Sequence, residues 1–230
     1  IHKYFEPVEK DERAEFTTLK FDNDAKAVTI NIGDSKEGWV QALEKYLEIL
    51  YRHEYKIVNK IIFNYDSVRP KGERLKTFGG TASGHESLKI MFNKIKRILD
   101  KKKKDKKIKL EPIDAMDIAN IIGENVVSGG VRRTSEVCLF DKDDQDILQA
   151  KNNLYIQEDG EWKVNEDIIH RKMSNNSIFY REKPSDKQLH WQIQQMRYSG
   201  EPGFMNSEEA NRRRDNLEGA NPCFTGDMEL

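Results

Sequence analysis

Three short runs in this sequence combine small residues with hydroxyl, amide or guanidinium groups. Gly79-Gly80-Thr81-Ala82-Ser83-Gly84 stands before a helical pattern. Ser128-Gly129-Gly130-Val131-Arg132-Arg133 lies between a helical pattern and a strand pattern, and Ser174-Asn175-Asn176-Ser177 lies just before a strand. Small residues let backbone N–H groups approach an anion, and a helix N-terminus adds partial positive charge. Arg132 and Arg133 add forked donors that suit phosphate oxygens. None of the three is a Walker loop or a dinucleotide fingerprint, and each alone is more often an ordinary tight turn. Their presence together in one α/β chain tilts the reading towards a phosphorylated ligand.

The thiols are sparse. Cys138 lies between Val137 and Leu139 in a strand pattern and fits a small buried apolar residue. Cys223 does not fit that reading, since it follows a Gly219-Ala220-Asn221-Pro222 turn. Two cysteines make no disulfide framework, so a reducing cytoplasm is the expected compartment. The five histidines, His2, His53, His85, His170 and His190, show no metal spacing, and no metal site is expected.

The elements that must position these groups follow from periodicity. Ala27 to Ile32 reads as a strand, Gly38 to about His53 as a helix and Lys60 to Phe63 as a second strand, a βαβ unit with parallel pairing. Val68 to His85 reads as loop. A helix is expected from Glu86 to Lys103 on the stripe Leu88, Met91, Phe92, Ile95, Ile98 and Leu99. The run from Lys101 to Lys107 reads as a solvated end. A helix follows Pro112, through Ile113, Met116, Ile121, Ile122 and Val126, then a loop from Val127 to Arg133 and a strand from Glu136 to Phe140. A short helix (Asp144 to Ala150), a hairpin around Asp159-Gly160 and a short strand (Ile178 to Tyr180) come next. Ser185 to Gln188 fits a capping box opening a helix on Leu189, Ile193 and Met196. Residues 1–26 show no firm period.

Composition sets the outer limits. The 230 residues carry 39 basic and 40 acidic side chains, a balance that argues against a protein that coats nucleic acid. No apolar run is long enough to span a membrane. Ile1-His2-Lys3-Tyr4 has neither an initiator Met nor a signal segment, and the 37% apolar content is low for a self-contained catalytic domain, so a piece of a longer protein is expected.

Five ordered motifs carry a resemblance. Arg69 to Gly84 (RPKGERLKTFGGTASG), Ile121 to Thr134 (IIGENVVSGGVRRT), Met173 to Ser177 (MSNNS), Gly200 to Phe204 (GEPGF) and Gly219 to Cys223 (GANPC) resemble the signatures of class II, adenosylcobalamin-dependent ribonucleoside-triphosphate reductases, with Asp34 to Trp39 extending the likeness upstream. The resemblance implies a partial ten-stranded α/β barrel of the ribonucleotide reductase type. It also implies reduction of the ribose 2′-hydroxyl of a ribonucleoside triphosphate by a cobalamin-generated thiyl radical, with a thioredoxin-type reductant, a deoxynucleotide effector and a monomeric enzyme. Catalytic positions fall on Cys223 and Asn221, and substrate positions on Asn175, Asn176, Ser177 and Pro222. The effector specificity loop falls on Ser128, Gly129, Gly130, Val131, Arg132 and Arg133, and the effector arm on Asp34, Ser35 and Lys36. Residues 1–65 are expected as arm and first barrel elements, and 66–222 as partial barrel. Arg132, Asn176 and Asn221 should converge on one pocket.

The likeness breaks after Cys223. Thr225 stands where the family motif has a glutamate, and Cys223-Phe224-Thr225-Gly226-Asp227 resembles the opening block of an intein, so residues 223–230 are expected to begin one. In that reading Cys223 attacks the Pro222 carbonyl, and the reductase's own cysteine lies after the intein. A divergent or frame-shifted terminus is the alternative. Other readings are a nucleotide-binding regulatory piece without catalysis and the N-terminal half of a split splicing system.

Overall fold

The structure, a computed structural model, describes residues 1–75, 80–105, 109–128 and 134–219. These form two compact units. One holds residues 1–93 with Ser128, and the other holds 94–127 with the described residues from 134 onward. The division falls further along the chain than the boundary expected near residue 65.

The first unit is built on β1 (Thr18–Asp22), β2 (Ala27–Asn31) and β3 (Lys60–Asn64). β2 and β3 pair in parallel across helix α1 (Lys36–Tyr51), as the strand–helix–strand pattern predicts. β1 was not foreseen. It is an edge strand, mostly exposed and polar, and it forms only because it pairs antiparallel with β2. The opposite edge is lengthened by the first residues: Phe63 N–H donates to the Ile1 carbonyl at 2.9 Å and Lys3 N–H to the Phe63 carbonyl at 2.9 Å. α1 opens on Ser35, whose hydroxyl accepts the Gly38 N–H at 2.8 Å. The core is aromatic. Phe63 stacks on Phe92 with centroids 4.4 Å apart, and Tyr46 meets both edge-on. Arg69 to Gly84 is not plain loop: Gly72 N–H reaches the Ala82 carbonyl, and Leu75 N–H the Gly80 carbonyl, as in a hairpin. The masses of α2 (Glu86–Lys104) up to Asn93 belong to this unit.

The second unit centres on three parallel strands in the order β4 (Glu136–Phe140), β7 (Ser174–Tyr180), β8 (Gly203–Asn206). Helix α3 (Pro112–Ser128) and the short α4 (Gln145–Leu148) supply Met116, Ile147 and Leu148 to a core with Phe140, Ile178 and Tyr180. β5 (Tyr155–Glu158) and β6 (Glu161–Val164) form the expected hairpin, turned by Asp159 and Gly160 at φ 53° and 84°. Helix α5 (Asp186–Ser199) carries the predicted Ser185–Gln188 capping box and ends on Gly200 in the left-handed region. α6 (Ser207–Arg213) follows β8 directly, and neither was anticipated.

The Ser174-Asn175-Asn176-Ser177 run, expected as a turn before a strand, is itself strand. It forms the first half of β7, the central strand, and its neighbours on both sides override the weak strand preference of Asn and Ser. The described residues make a mixed α/β structure with parallel pairing in both larger sheets, grouped as three, three and two strands. A ten-stranded barrel is not formed by them.

Candidate functional site

Strand alternation divides the β4–β7–β8 sheet into two chemically distinct faces. Parallel register sets Cys138 beside Asn176 and Phe140 beside Ile178 on the face packed by α3 and α4. Val137 beside Asn175, and Leu139 beside Ser177 and Gly203, lie on the other face. Along β7 the buried residues are Ser174, Asn176, Ile178 and Tyr180, while Asn175 is exposed and Ser177 and Phe179 are half-buried. The three adjacent residues expected to bind substrate therefore do not share one face: Asn175 and Ser177 lie on the open face, and Asn176 on the opposite one.

Asn176 is 2% exposed, and its side chain is engaged on the helix face. Its Oδ1 accepts the Ser174 hydroxyl at 2.8 Å, and its Nδ2 lies 3.3 Å from the Met116 sulfur. Ser177 differs. Its hydroxyl has no hydrogen-bond partner among the described residues, and Gly203 leaves it room, since a Cβ at that glycine would come within 2.7 Å of the oxygen.

A ring of buried polar groups sets the β7 backbone. Lys151 donates to the Ser174 carbonyl and pairs with Glu201 at 2.6 Å. The same Glu201 oxygen accepts the Asn176 N–H at 3.0 Å. Gln192, fully buried on α5, accepts the Tyr180 hydroxyl at 2.8 Å and donates to the Pro202 and Gly203 carbonyls at 3.1 and 2.8 Å, which fixes where β8 starts. Below them Asp117 receives two bonds from Arg171, at 2.6 and 2.7 Å. Burial opposes the Asp117 charge, but the Arg171 and His170 hydrogen bonds outweigh it and hold the carboxyl below its ordinary value. Cys138 is half-buried against this layer, and desolvation pushes its thiol up to about 11, so it is held as an unreactive thiol. None of these partners was singled out from sequence. Glu201 lay inside a quoted motif, but Lys151, in Ala150-Lys151-Asn152-Asn153, reads as a solvated turn.

The chain after α6 returns to the open face. Asn211 clamps Leu217, accepting its N–H at 2.8 Å and donating to its carbonyl at 3.1 Å, while also donating to the Ser207 carbonyl at 2.8 Å. Gly219 then passes over Leu139, whose Cδ1 would lie 3.8 Å from a Cβ at that glycine. A cavity of about 530 Å³ opens here, lined among others by Leu139, Asp141, Phe179, Arg181, Ser207 and Leu217. Asn221, Pro222 and Cys223 lie outside the described residues, as do Gly129, Gly130, Val131, Arg132 and Arg133 of the specificity loop and the whole intein-like block. Ser128 is described, exposed at the end of α3.

The expected effector arm, in the first unit, is a filled turn. Asp34 accepts the Arg69 backbone N–H at 3.0 Å and its Nε at 2.9 Å. The Gly33 N–H goes to the Thr17 hydroxyl at 3.0 Å and the Asp34 N–H to the Ala14 carbonyl at 2.8 Å. Ser35, besides capping α1, donates to the Glu15 carbonyl at 2.7 Å. Residues 14–17 thus lie as a strap across the place where a βαβ unit would present N–H groups to an anion. Lys36 stands exposed at its rim.

A family model described as the B12-dependent ribonucleotide reductase insertion domain matches residues 8–99. The adenosylcobalamin-dependent ribonucleoside-triphosphate reductase of Lactobacillus leichmannii is 33% identical over an alignment of 219 residues that covers 90% of this chain and 27% of that protein. That of Lactobacillus helveticus is 32% identical over 220 residues, covering 86% of this chain and 26% of the relative. A solved crystal structure of a B12-dependent (class II) ribonucleotide reductase superposes with a TM-score of 0.61 at 29% identity, covering 82% of this chain and 24% of the other. The chain belongs to the class II ribonucleotide reductases. It spans about a quarter of the length of the curated relatives it matches. The class II insertion-domain match covers the βαβ unit and its strap, while the β4–β7–β8 sheet with its open face lies beyond it.

Proposed function

We propose that this segment serves an enzyme that reduces ribonucleoside triphosphates to deoxyribonucleoside triphosphates, and that the open face of β4–β7–β8 is part of its substrate wall. The observation that carries this reading is the meeting on one face of Asn175, Ser177 and the 216–219 segment that leads to Asn221-Pro222-Cys223. Ser177 and Asn175 offer a hydroxyl and an amide to the hydroxyls of a ribose, and Gly203 leaves space beside them. By motif, Asn221 adds a second amide and position 223 a thiol. The sheet completes a ten-stranded barrel with strands from the rest of the enzyme. Enclosure of this kind keeps water from a reactive sulfur.

Adenosylcobalamin bound to the whole enzyme would supply the radical chemistry. The described residues do not by themselves fit a corrin: three strands at about 4.8 Å spacing give a strip roughly 10 Å wide, set with amide and hydroxyl groups. No cluster of three or more His, Cys, Asp or Glu side chains able to hold a metal occurs among them. The roles proposed for the described residues are substrate binding, orientation and exclusion of water. A deoxynucleotide effector acting through Ser128 to Arg133 with the Asp34–Lys36 arm, a thioredoxin-type reductant, a monomeric state and a cytoplasmic setting complete the proposal. Among the described residues no helix is long and apolar enough to cross a membrane.

The test is deoxynucleotide formation by the full-length enzyme with each ribonucleoside triphosphate and added adenosylcobalamin. Ser177→Ala should raise KM for the nucleotide about tenfold, the worth of one or two ribose hydrogen bonds. An unchanged KM would remove Ser177 from the substrate wall. The intein reading of Cys223 to Asp227 is tested separately, by the mass of the mature protein across the Pro222 junction.

A further inference from the structure

We infer that Lys151 and Glu201 are a positioning pair for Asn175: they take the place of a missing strand beside the first half of β7. This rests on the proposal that Asn175 faces the substrate.

The ladder between β7 and β8 begins only at Ser177 opposite Gly203. One residue earlier in the alternation, the Ser174 carbonyl and the Asn176 N–H project from the same edge of β7, with no strand among the described residues to meet them. Unpaired, these buried main-chain groups would be costly. Lys151 satisfies the carbonyl and Glu201 the N–H, at 3.0 Å. The two side chains join through a 2.6 Å ion pair and are 7% and 22% exposed. They therefore close a ring around the two peptide groups that flank Asn175. Asn175 is the exposed residue between two buried ones, so the orientation of its peptide decides where its amide stands on the open face. Gln192 anchors the turn at Pro202 and Gly203 from the other side, which gives Glu201 a fixed base.

A buried ion pair used only for packing can be replaced by apolar residues of similar size at little cost in stability, whereas removing one partner leaves a stranded charge. That separates the two roles. In the full-length enzyme, Lys151→Met and Glu201→Gln should each lower the melting temperature. Because it leaves the Ser174 carbonyl and the Asn176 N–H unpaired, the double variant Lys151→Met/Glu201→Met should recover only part of that loss. If the pair positions Asn175, the double variant should still show a five- to tenfold higher KM for the ribonucleoside triphosphate, with kcat changed less than twofold. Its Asn176 amide should also exchange with deuterium at least tenfold faster than in the parent. A double variant with parental KM and parental exchange at Asn176 overturns the inference. The exchange measurement needs no turnover, so it decides the role of the pair even if the parent enzyme fails to reduce nucleotides, an outcome that would instead defeat the proposed activity.

Discussion

The β2–α1 turn of the first unit and the first half of the β7 strand of the second are both written in small polar residues, yet they use those residues in opposite ways. At the turn, Gly33, Asp34 and Ser35 are matched inward, to Thr17, Ala14, Glu15 and Arg69. On β7, Ser174 and Asn176 are matched inward and Ser177, on the other face, is not. Polar motifs thus mark a site only where the alternation turns some of them away from their own fold.

Breaking the filled turn should cost the most stability. Asp34→Ala removes the acceptor of three Arg69 contacts and should lower the unfolding free energy by about 2–3 kcal/mol, read by denaturant melts. Little change would mean that these bonds do not hold the turn. Gly203→Val on the open face should act on the substrate instead. It should raise KM about tenfold or more, because its first carbon would press on the Ser177 hydroxyl, while the melting temperature moves by only a few degrees. Ser35→Ala loses a helix cap and should cost about 1 kcal/mol without altering nucleotide KM.

The smallest effect is one of pH. Burial lowers the pKa of both His2 and His85 in the first unit. Each binds a proton less readily folded than unfolded, so their contribution is complete above the unfolded value near 6.5 and is lost as pH falls below it. Melts at pH 7.5 and 5.5 should show a modest loss at the lower pH, reduced by His2→Gln, whose amide keeps a contact with Asn93. Asp117 in the second unit has the opposite sign of group and the same direction: its carboxyl is held low, so its stabilisation is lost only in stronger acid, below about pH 4.

Much of the secondary structure was legible because it follows one residue's neighbours. The βαβ unit, α2, α3, β4, the Asp159-Gly160 hairpin and the Ser185 cap all declare themselves through period or local hydrogen bonding. β1, β8 and the start of β7 did not. Their formation depends on partners far along the chain: Thr18 on Asn31, Gly203 on Ser177, and Ser174 on Glu136. The site divided in the same way. The motif groups Asn175, Asn176 and Ser177 as one set, although Asn176 lies on the opposite face of β7 from the other two, because a three-letter run conceals which letters face which way. Lys151 and Glu201 are 50 positions apart in the sequence, and nothing in the composition of either segment announces their meeting.

The Asn211 clamp has a consequence for how the chain tolerates change downstream. It grips both polar groups of Leu217 from within α6 and closes a loop that is complete before residue 220. A tether finished that early lets whatever is spliced in, swapped or extended beyond Pro222 depart from a fixed mooring, without transmitting its pull to the strands behind it.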